Sequence, residues 1–402
     1  MTGKNSRDNL GTDRIHIREN IDSVAEFKAK EERHGKGVSP VVVLLIIWIL
    51  LFFFSMFFVI SYSQSRFSVA YIFGQARLNI QHFYNFVMSA GETGNIEVTF
   101  YKLLGTALVG AALASTGSLM QGSYRNIIAG PSSTGVMPGG TLGCLIYLLF
   151  FEAAATGTHT FWGNFGYQLC VLGGCLLGMA LILGVSRAAG KGKLSPSAML
   201  ISGMVFSSVI SSINLIVQYY MIVKDPSDTR IEAIRDMMMG SFDNLATLPA
   251  LAMMGIPVII CLVIMMLIRG RLNLLSMGDD EARVSGMNVQ RYRLLMLLLS
   301  SLLTALTMAF CGRIGFVGFM VPLITRKITG PDMRRIVPCS MLVGAILLTL
   351  ISDITIILSI TDSVNLVTSA LGCLLMAITL LRKGGSDDAF NKERGQIRMG
   401  SR

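Results

Sequence analysis

The sequence is poor in charge and in the side chains that most often bind metals or take part in catalysis. Of its 402 residues, 14% are charged, whereas a typical soluble domain has about 25%. The histidines share no metal-ligand spacing: His16, His34, His82 and His159. The seven cysteines include no Cys-x-x-Cys pair, so we interpret them as small buried apolar residues rather than as a disulfide framework or a zinc site.

A nucleotide-binding loop is also missing. No Gly-x-x-x-x-Gly-Lys-Ser/Thr sequence occurs, and the nearest string, Gly190–Lys193, is a basic turn that follows an apolar run. We therefore expect this chain to have no catalytic residue, no directly bound cofactor and no metal site. These absences argue against an enzyme.

The sequence is rich in long apolar runs, with 52% hydrophobic residues and a mean hydropathy of +0.61. A membrane-spanning helix needs about 20 apolar residues. Runs of roughly this length are found at 40–60, 101–121, 136–151, 167–186, 198–221, 248–268, 292–311, 314–330, 336–358 and 364–381. The sequence therefore predicts an all-α, polytopic integral membrane protein with about ten transmembrane helices. The glycine-rich run 314–330 is short, and we expect it to form a broken or re-entrant helix covered by other parts of the protein.

The formal net charge is +10, and the Lys and Arg residues are distributed along the chain as a membrane topology predicts. One set of segments carries 27 of the 34 Lys and Arg residues: 1–38, Arg125, 187–197, 269–293, 326–335 and everything from 382 onward. The other set carries seven. Because cytoplasmic loops are enriched in Lys and Arg, we expect a multi-pass protein of the cell membrane with both termini in the cytoplasm. No single basic stripe remains, so membrane lipid and not nucleic acid is the expected surrounding partner.

The predicted organisation is one membrane domain between two tails. Residues 1–38 mix basic and acidic residues and are expected to form a solvated cytoplasmic tail. Residues 39–383 form the predicted transmembrane domain, and 384–402 a second cytoplasmic tail. Residues 61–100 mix aromatic and polar side chains, which is typical of a segment at the outer membrane interface. Residues 222–247 are predicted to be a charged outer loop.

Few polar side chains with a possible role in transport lie inside the predicted spans. Asp353 is the only acidic residue well inside one, and a packed, hydrogen-bonded carboxyl is favoured over a transport role. Asn214 and Gln218 are one helical turn apart and either face a translocation path or form hydrogen bonds between helices.

The basic loop at 269–291 contains an unusual short segment. Three acidic residues, Asp279, Asp280 and Glu281, follow Gly278, a position where they would complement the N-terminus of a short helix. Gly286 would end that helix two turns later. The segment is either an element on which a partner docks or an ordinary connecting loop.

Several ordered motifs resemble those of the permeases of the iron-siderophore, haem and cobalamin ABC importer family. They are LVGAALASTGSLMQG, RNIIAGP and GVMPGGTLG within 107–143, GSFDNL at 240–245, LNLLSMGDDEARVSG at 272–286, and GRIGFVGFMVPLITRKITGPDMRRIVP at 312–338. The resemblance covers most of residues 100–383.

This resemblance implies the type II permease fold of ABC importers. It also implies an assembly of two permeases, as a homodimer or heterodimer, with two ATPases that hydrolyse ATP and an extracytoplasmic solute-binding protein. The fifth and tenth spans, 198–221 and 364–381, would line the pathway, which favours a path-lining role for Asn214 and Gln218. The segment expected to press against the ATPase is the coupling loop, with Gly278, Asp279, Asp280, Glu281, Ala282, Arg283 and Gly286.

The sequence departs from the family pattern mainly on the outer side. The family's Arg-Leu-Pro-Arg before the second span is Thr99–Lys102 here, its Val-Pro-His is Val321–Leu323, and its Leu-Pro-x-Gly before the last span is replaced around Ser363–Asn365. Lys102 therefore retains a positive charge for binding-protein docking, but as a point charge without the bidentate geometry of arginine.

Taken together, these features predict the membrane-spanning permease of an ATP-binding-cassette importer. The expected cargo is a ferric siderophore, that is, an iron chelate, with haem or cobalamin as the alternative. A secondary transporter and a permease-like partner without transport of its own are alternatives of other classes. The secondary transporter would need a coupling-ion site, for which the spans supply only Asp353.

Overall fold

A computed structural model describes most of the predicted transmembrane domain. It covers residues 39–64, 93–127, 129–150, 161–190, 194, 196–224, 229–358 and 363–378. Both predicted cytoplasmic tails, and residues 65–92 of the predicted interfacial segment, lie outside the described residues.

The described residues form helices and turns, with no strand among them. In chain order the helices are α1 Pro40–Gln64, α2 Thr93–Tyr124, α3 Val136–Phe150, α4 Phe161–Ala189, α5 Pro196–Lys224, α6 Thr229–Met239, α7 Leu248–Met277, α8 Asp279–Val284, α9 Val289–Cys311, α10 Val317–Thr329, α11 Met333–Ile357 and α12 Val364–Ile378. Each of the ten predicted apolar runs coincides with one of these helices, and the all-α prediction is confirmed.

The helices differ in whether they are long enough to cross a bilayer. Six of those described meet the length and apolarity needed for a span; the stretch Pro40–Met56 of α1, together with α3 and α12, is apolar but shorter. The 13 residues of α10 extend about 20 Å at 1.5 Å per residue, short of a hydrocarbon core of about 30 Å. A non-helical connection from Gly312 to Phe316, both with left-handed φ, precedes α10. The segment thus contains a short helix, and its broken or re-entrant character stays a prediction.

The expectation of a loop at 222–247 is wrong in part, because this segment contains α6 and a 3₁₀ turn at Asp243–Leu245. Ile234 and Met237 are buried one turn apart, so α6 lies against the bundle through one face. Its charged residues hid this spacing in the sequence. We call the end of the bundle with α6 the outer end and the end with α8 the basic end.

α2 forms the centre of the bundle and packs against α7, α9, α10 and α11. About nine-tenths of its spanning window is buried inside the protein. Gly117 of α2 lies so close to α10 that an added Cβ would sit 1.4 Å from the carbonyl oxygen of Gly318. A helix surrounded by protein in this way has little contact with lipid, so small residues decide how closely its neighbours approach.

α3 and α4 also meet through small residues. Gly139 and Gly143 of α3 face Gly174 and Gly178 of α4, and an added Cβ at Gly174 would lie 2.4 Å from the carbonyl oxygen of Gly139. Each helix thus contributes a Gly-x-x-x-Gly pair, the spacing that lets two membrane helices bring their backbones together.

α5 differs from α2 in that most of its surface is free in the single chain. Its buried residues form one narrow stripe: Met199, Gly203, Ile210, Asn214 and Met221. The hydroxyl groups of Ser208 and Ser212 on the exposed side donate to carbonyls one turn earlier in the same helix. The exposed surface of α5 is therefore free to contact lipid or a second chain.

Candidate functional site: the two ends of the bundle

The predicted short helix at the basic end is present as α8. It begins at Asp279, directly after Gly278, and has three acidic residues in its first turn. Gly286 has a φ of +76°, and its N–H donates to the carbonyl of Arg283 at 2.9 Å. The structure therefore confirms the short helix and the glycine that ends it. The acidic start and the glycine made both predictable from the sequence.

α8 is attached to the bundle through one face. Ala282 is buried and packs in a small cluster with Leu275, Met287 and Val289, against which Tyr292 is partly buried. This cluster links α8 to α7 before it and α9 after it.

The other face of α8 is open. The side chain of Asp280 is 92% exposed and that of Arg283 is 54% exposed, and the two form an ion pair at 3.5 Å. Val284 is 90% exposed, although a valine gains free energy when it is removed from water. Sequence reasoning missed Val284; the signal is that it lies two residues from the buried Ala282 and so points to the opposite side of the helix.

The first residue of α8 is joined to a buried arginine of α9. Arg293 is fully buried, and one of its guanidinium nitrogens donates to Asp279 Oδ1 at 2.7 Å. The other donates to the carbonyl oxygen of Leu194 at 2.6 Å. The N–H of Leu194 in turn donates to Oε1 of Gln290 at 2.9 Å. Sequence reasoning missed this connection, since its members are up to 99 residues apart.

A cavity of about 470 Å³ lies at the basic end, next to the last turns of α7. Its lining includes Gln121, Arg125, Asn273, Arg326 and Asp332. Arg125 is also 4.0 Å from Oδ1 of Asp279. Positive charge therefore surrounds the start of α8 on more than one side.

At the outer end, Lys102 forms an ion pair with Asp243. Asp243 also accepts a hydrogen bond from the hydroxyl of Ser241 at 2.8 Å. The prediction that Lys102 is a docking residue assumed a free positive charge, whereas in the protomer a carboxylate of the same chain neutralises it. The docking role of Lys102 stays a prediction, and any partner that binds Lys102 has to compete with Asp243 for its charge.

The outer end is held together by backbone and amide hydrogen bonds. The side chain of Asn365 donates to the carbonyl of Met238 at 2.9 Å and accepts from the N–H of Gly315 at 2.9 Å. It thereby joins α6, the α9–α10 connection and α12. Asn365 lies where the sequence departs from the family pattern, and these bonds show how the altered start of α12 is fixed.

Asp236 of α6 is a titratable group at this end whose acidity departs from the ordinary value. Burial raises the pKa of its carboxyl; Arg235 opposes the shift, and the carboxylates of Glu232 and Asp243 add to it. The carboxyl thus carries an electrostatic penalty when it is ionised.

Of the two residues of α5 predicted to line the path, Asn214 lies inside the protomer. Its side chain is 4% exposed and donates to the carbonyl of Pro138 in α3 at 3.1 Å. The interhelical hydrogen bond weighed as the alternative is therefore present. Gln218 is partly exposed, and its path-lining role stays a prediction.

Comparison with known proteins supports one family over most of the chain. Residues 47–382 match the FecCD transport family. The iron-uptake system permease protein FeuB of Bacillus subtilis is 30% identical over 71% of this chain and 81% of its own length. The molybdate import system permease protein MolB of Haemophilus influenzae is 28% identical over 73% of this chain and 82% of its own length.

The fold has a solved counterpart. A structure described as an inward-facing conformation of a metal-chelate type ABC transporter aligns with a TM-score of 0.66 and 24% sequence identity, covering 85% of this chain and 99% of that chain. This chain therefore resembles known proteins in the arrangement of its helices as well as in its sequence. The chain therefore belongs to the FecCD transport family and is a permease of an ABC importer, a transport component whose ATPase is a separate subunit.

Proposed function

We propose that this permease imports a ferric siderophore and works as one of two permeases joined to two ATPases and fed by an extracytoplasmic solute-binding protein. The iron-uptake relative and the metal-chelate type structural neighbour support an iron chelate as the cargo. The molybdate relative makes the choice of cargo an experimental question.

The observation that carries the proposed assembly with ATPases is the open face of α8. Val284 is an exposed apolar residue beside two exposed charges, Asp280 and Arg283. A short helix anchored by Ala282 on one side and open on the other is suited to enter a groove of a partner subunit. Exposed apolar residues rimmed by polar ones are typical of protein interaction sites, and the ATPase is the partner that an importer requires at this end.

The translocation path is proposed to run between two copies of the permease along α5 and α12. α5 has only a narrow buried stripe, so much of its surface is available to a second chain. The exposed side of α5 includes hydroxyl groups bonded within the helix, together with Tyr219 and Tyr220. A surface of this mixed kind contacts a polar chelate without holding it tightly.

We further propose that the basic end faces the cytoplasm and that both termini lie there. The distribution of Lys and Arg supports this orientation, since 27 of the 34 fall on the segments assigned to that side. Accessibility of tags tests it. Tags at the N-terminus or after Arg382 should resist external protease in intact, wall-stripped cells, whereas a tag near Asp228 should be cleaved.

Purification from its native membrane tests the assembly. We expect an ATPase and a lipoprotein or soluble binding protein to be recovered with the tagged permease and identified by mass spectrometry. A single copy of the permease with neither subunit would contradict the proposed assembly.

Uptake into proteoliposomes of the recovered complex tests the cargo. Iron-loaded siderophore should accumulate with ATP, and an ATPase whose nucleotide-binding lysine is replaced serves as the control. Haem, cobalamin and molybdate are offered as competitors in the same assay. Accumulation of one of these in place of the iron chelate would reject the cargo while leaving the importer assignment intact.

A further inference from the structure

We propose that Arg293 is a positioning residue that transmits movement of α8 to the start of α5. This inference rests on the proposed function, in which the ATPase moves α8 and α5 lines the path. Its basis is that one buried side chain holds both the first residue of the coupling helix and the backbone that leads into the path helix.

The contacts of Arg293 run in two directions. Toward α8, its guanidinium donates to Asp279 Oδ1 at 2.7 Å. Toward α5, it donates to the carbonyl oxygen of Leu194 at 2.6 Å, two residues before α5 begins at Pro196. A planar guanidinium fixes the relative direction of two acceptors, which a flexible ammonium group does not.

Gln290 completes the attachment of Leu194. Its Oε1 accepts from the N–H of Leu194 at 2.9 Å, so both backbone polar groups of this residue are bound to α9. Gln290 and Arg293 are three residues apart and lie on the same face of α9. Leu194 is therefore held from two points on one helix.

Burial makes these bonds strong links. Arg293 is fully buried, and the side chain of its partner Asp279 is 24% exposed. A buried charge that loses its partner is left with its full desolvation cost. Separation of Asp279, Arg293 and Leu194 is consequently unfavourable, so a displacement of α8 favours a concerted movement of α9 and Leu194.

The hydrophobic attachment of α8 serves a different purpose. Ala282 packs with Leu275 of α7, Met287 of the connection between α8 and α9, and Val289 of α9. This packing keeps α8 in place for docking, but it does not include Leu194. Docking of the ATPase and transmission to α5 are thus assigned to separable contacts.

Two substitutions separate transmission from docking. Arg293→Met keeps an unbranched side chain of similar length but removes both hydrogen bonds, and Arg293→Lys retains the charge without the fork. The matched control is Arg291→Met, the same change two residues away at an exposed position of α9. Gln290→Ala releases only the N–H of Leu194.

The measurements are ATPase recovered per permease, ATP hydrolysis, and cargo transported per ATP in proteoliposomes. For Arg293→Met we expect normal ATPase recovery and continued hydrolysis, with transport per ATP reduced at least about fivefold, a loss of the size reported for coupling residues. Arg293→Lys and Gln290→Ala should show smaller reductions, and Arg291→Met should stay within about twofold of the parent protein.

A thiol reporter on α5 gives a readout that a purely structural role would not change. Ile201→Cys is placed in a Cys373→Ser background, because Ile201 and Cys373 are both exposed in the chain. In the parent complex its labelling rate should change when ATP is added. With Arg293→Met that change should be lost, and with Arg293→Lys it should be reduced, although ATP is still hydrolysed.

The possible outcomes separate the two levels of the proposal. Unchanged transport per ATP in Arg293→Lys and Gln290→Ala, with an ATP-dependent label at position 201, would overturn the transmission role. Loss of ATPase recovery in these variants would instead make Arg293 a support for docking, and would also overturn it. Failure of the unaltered permease to recover any ATPase would reject the proposed function itself.

Discussion

The hydroxyl of Ser55 in α1 donates a hydrogen bond to Oδ1 of Asp353 in α11 across 2.6 Å. Both side chains are buried inside the protein, and α1 packs against α11. The sequence predicted a packed, hydrogen-bonded carboxyl at this position, and that prediction is confirmed. A buried Asp that is already bonded to a neighbouring helix is better explained as a structural link than as a site for a coupling ion.

The first prediction follows from this bond. Asp353→Asn keeps an oxygen that accepts from Ser55, so we expect uptake within about twofold of the parent protein. Ser55→Ala leaves the carboxyl without this donor and should lower the free energy of unfolding by about 1–3 kcal/mol, measured by thermal denaturation in detergent. If Asp353→Asn assembled normally yet abolished uptake, Asp353 would have a role in transport beyond that of a structural link.

The second prediction compares two adjacent glycines of α4. A Cβ at Gly174 would lie 2.4 Å from the carbonyl oxygen of Gly139, whereas a Cβ at Gly173 meets nothing within 4 Å. Gly174→Ala should therefore force α3 and α4 apart and lower the melting temperature. Gly173→Ala should be neutral or stabilising, since alanine favours a helix by about 1 kcal/mol over glycine. Equal melting temperatures would show that the two helices tolerate separation.

The third prediction concerns pH and Asp236. Because burial raises the pKa of this carboxyl in the folded protein, the folded state binds the proton more tightly than the unfolded state. Stability therefore falls as the pH rises from the unfolded pKa, about 4, through the raised folded pKa, and the full penalty is present above it. Asp236→Asn removes the penalty.

Thermal denaturation across a pH series checks this effect. Asp236→Asn should melt above the parent protein at neutral pH, and the difference should shrink and vanish as the pH falls below about 4. Glu232→Gln is the matched control, because it removes one of the carboxylates that raise the pKa of Asp236 and should reproduce part of the gain. If the difference in melting temperature stayed constant over the pH series, its cause would not be the ionisation of Asp236.

Much of the fold could be predicted because it depends on local patterns. Apolar length alone located the ten runs that became helices, and acidic residues after Gly278 together with Gly286 located α8. These signals act within a few residues of the chain, so one sequence contains them in full. α6 was missed because its buried positions, Ile234 and Met237, are separated by charged residues and the helix is short.

The connections at both ends of the bundle could not be predicted for the opposite reason. Arg293 bonds to a backbone carbonyl 99 residues away, and Lys102 pairs with a carboxylate 141 residues away. A backbone carbonyl leaves no trace in the side-chain sequence, and any of several acidic residues was an eligible partner for Lys102. Only the packing of the helices decides which groups meet.

The fourth prediction uses the pairing of Lys102. If a binding protein docks through this lysine, Asp243 competes with it for the positive charge. Asp243→Asn should then increase the affinity of the binding protein for the permease by up to about fivefold at low salt, because an exposed ion pair is worth about 0–1 kcal/mol. Lys102→Met should decrease it, and both effects should weaken as salt is added.

Surface-immobilised permease in nanodiscs allows these affinities to be compared directly. Lys224→Met is a suitable control, since Lys224 is an exposed lysine at the end of α5, away from Asp243 in the sequence. Unchanged affinity in both Asp243→Asn and Lys102→Met would remove Lys102 from the docking surface.

The fifth prediction concerns the glycine that ends the turn after α8. Gly286 has a φ of +76°, and a Cβ there would meet nothing within 4 Å. Any effect of a larger residue therefore comes from backbone strain and not from a clash. That strain is about 1–2 kcal/mol for an ordinary L-residue and is greatest for a β-branched one. Gly286→Val should distort the end of α8, reduce the ATPase recovered per permease and abolish uptake.

Two matched variants distinguish loss of docking from loss of stability. Gly286→Asn should retain uptake, because asparagine adopts the left-handed conformation more readily than valine. Gly330→Val imposes a similar strain at a φ of +81°, again with nothing within 4 Å, but at the end of α10 instead of α8. We expect it to lower the melting temperature as Gly286→Val does while leaving ATPase recovery unchanged. Full ATPase recovery and full uptake in Gly286→Val would make the segment around α8 an ordinary connector, and coupling would have to be sought elsewhere on the basic end.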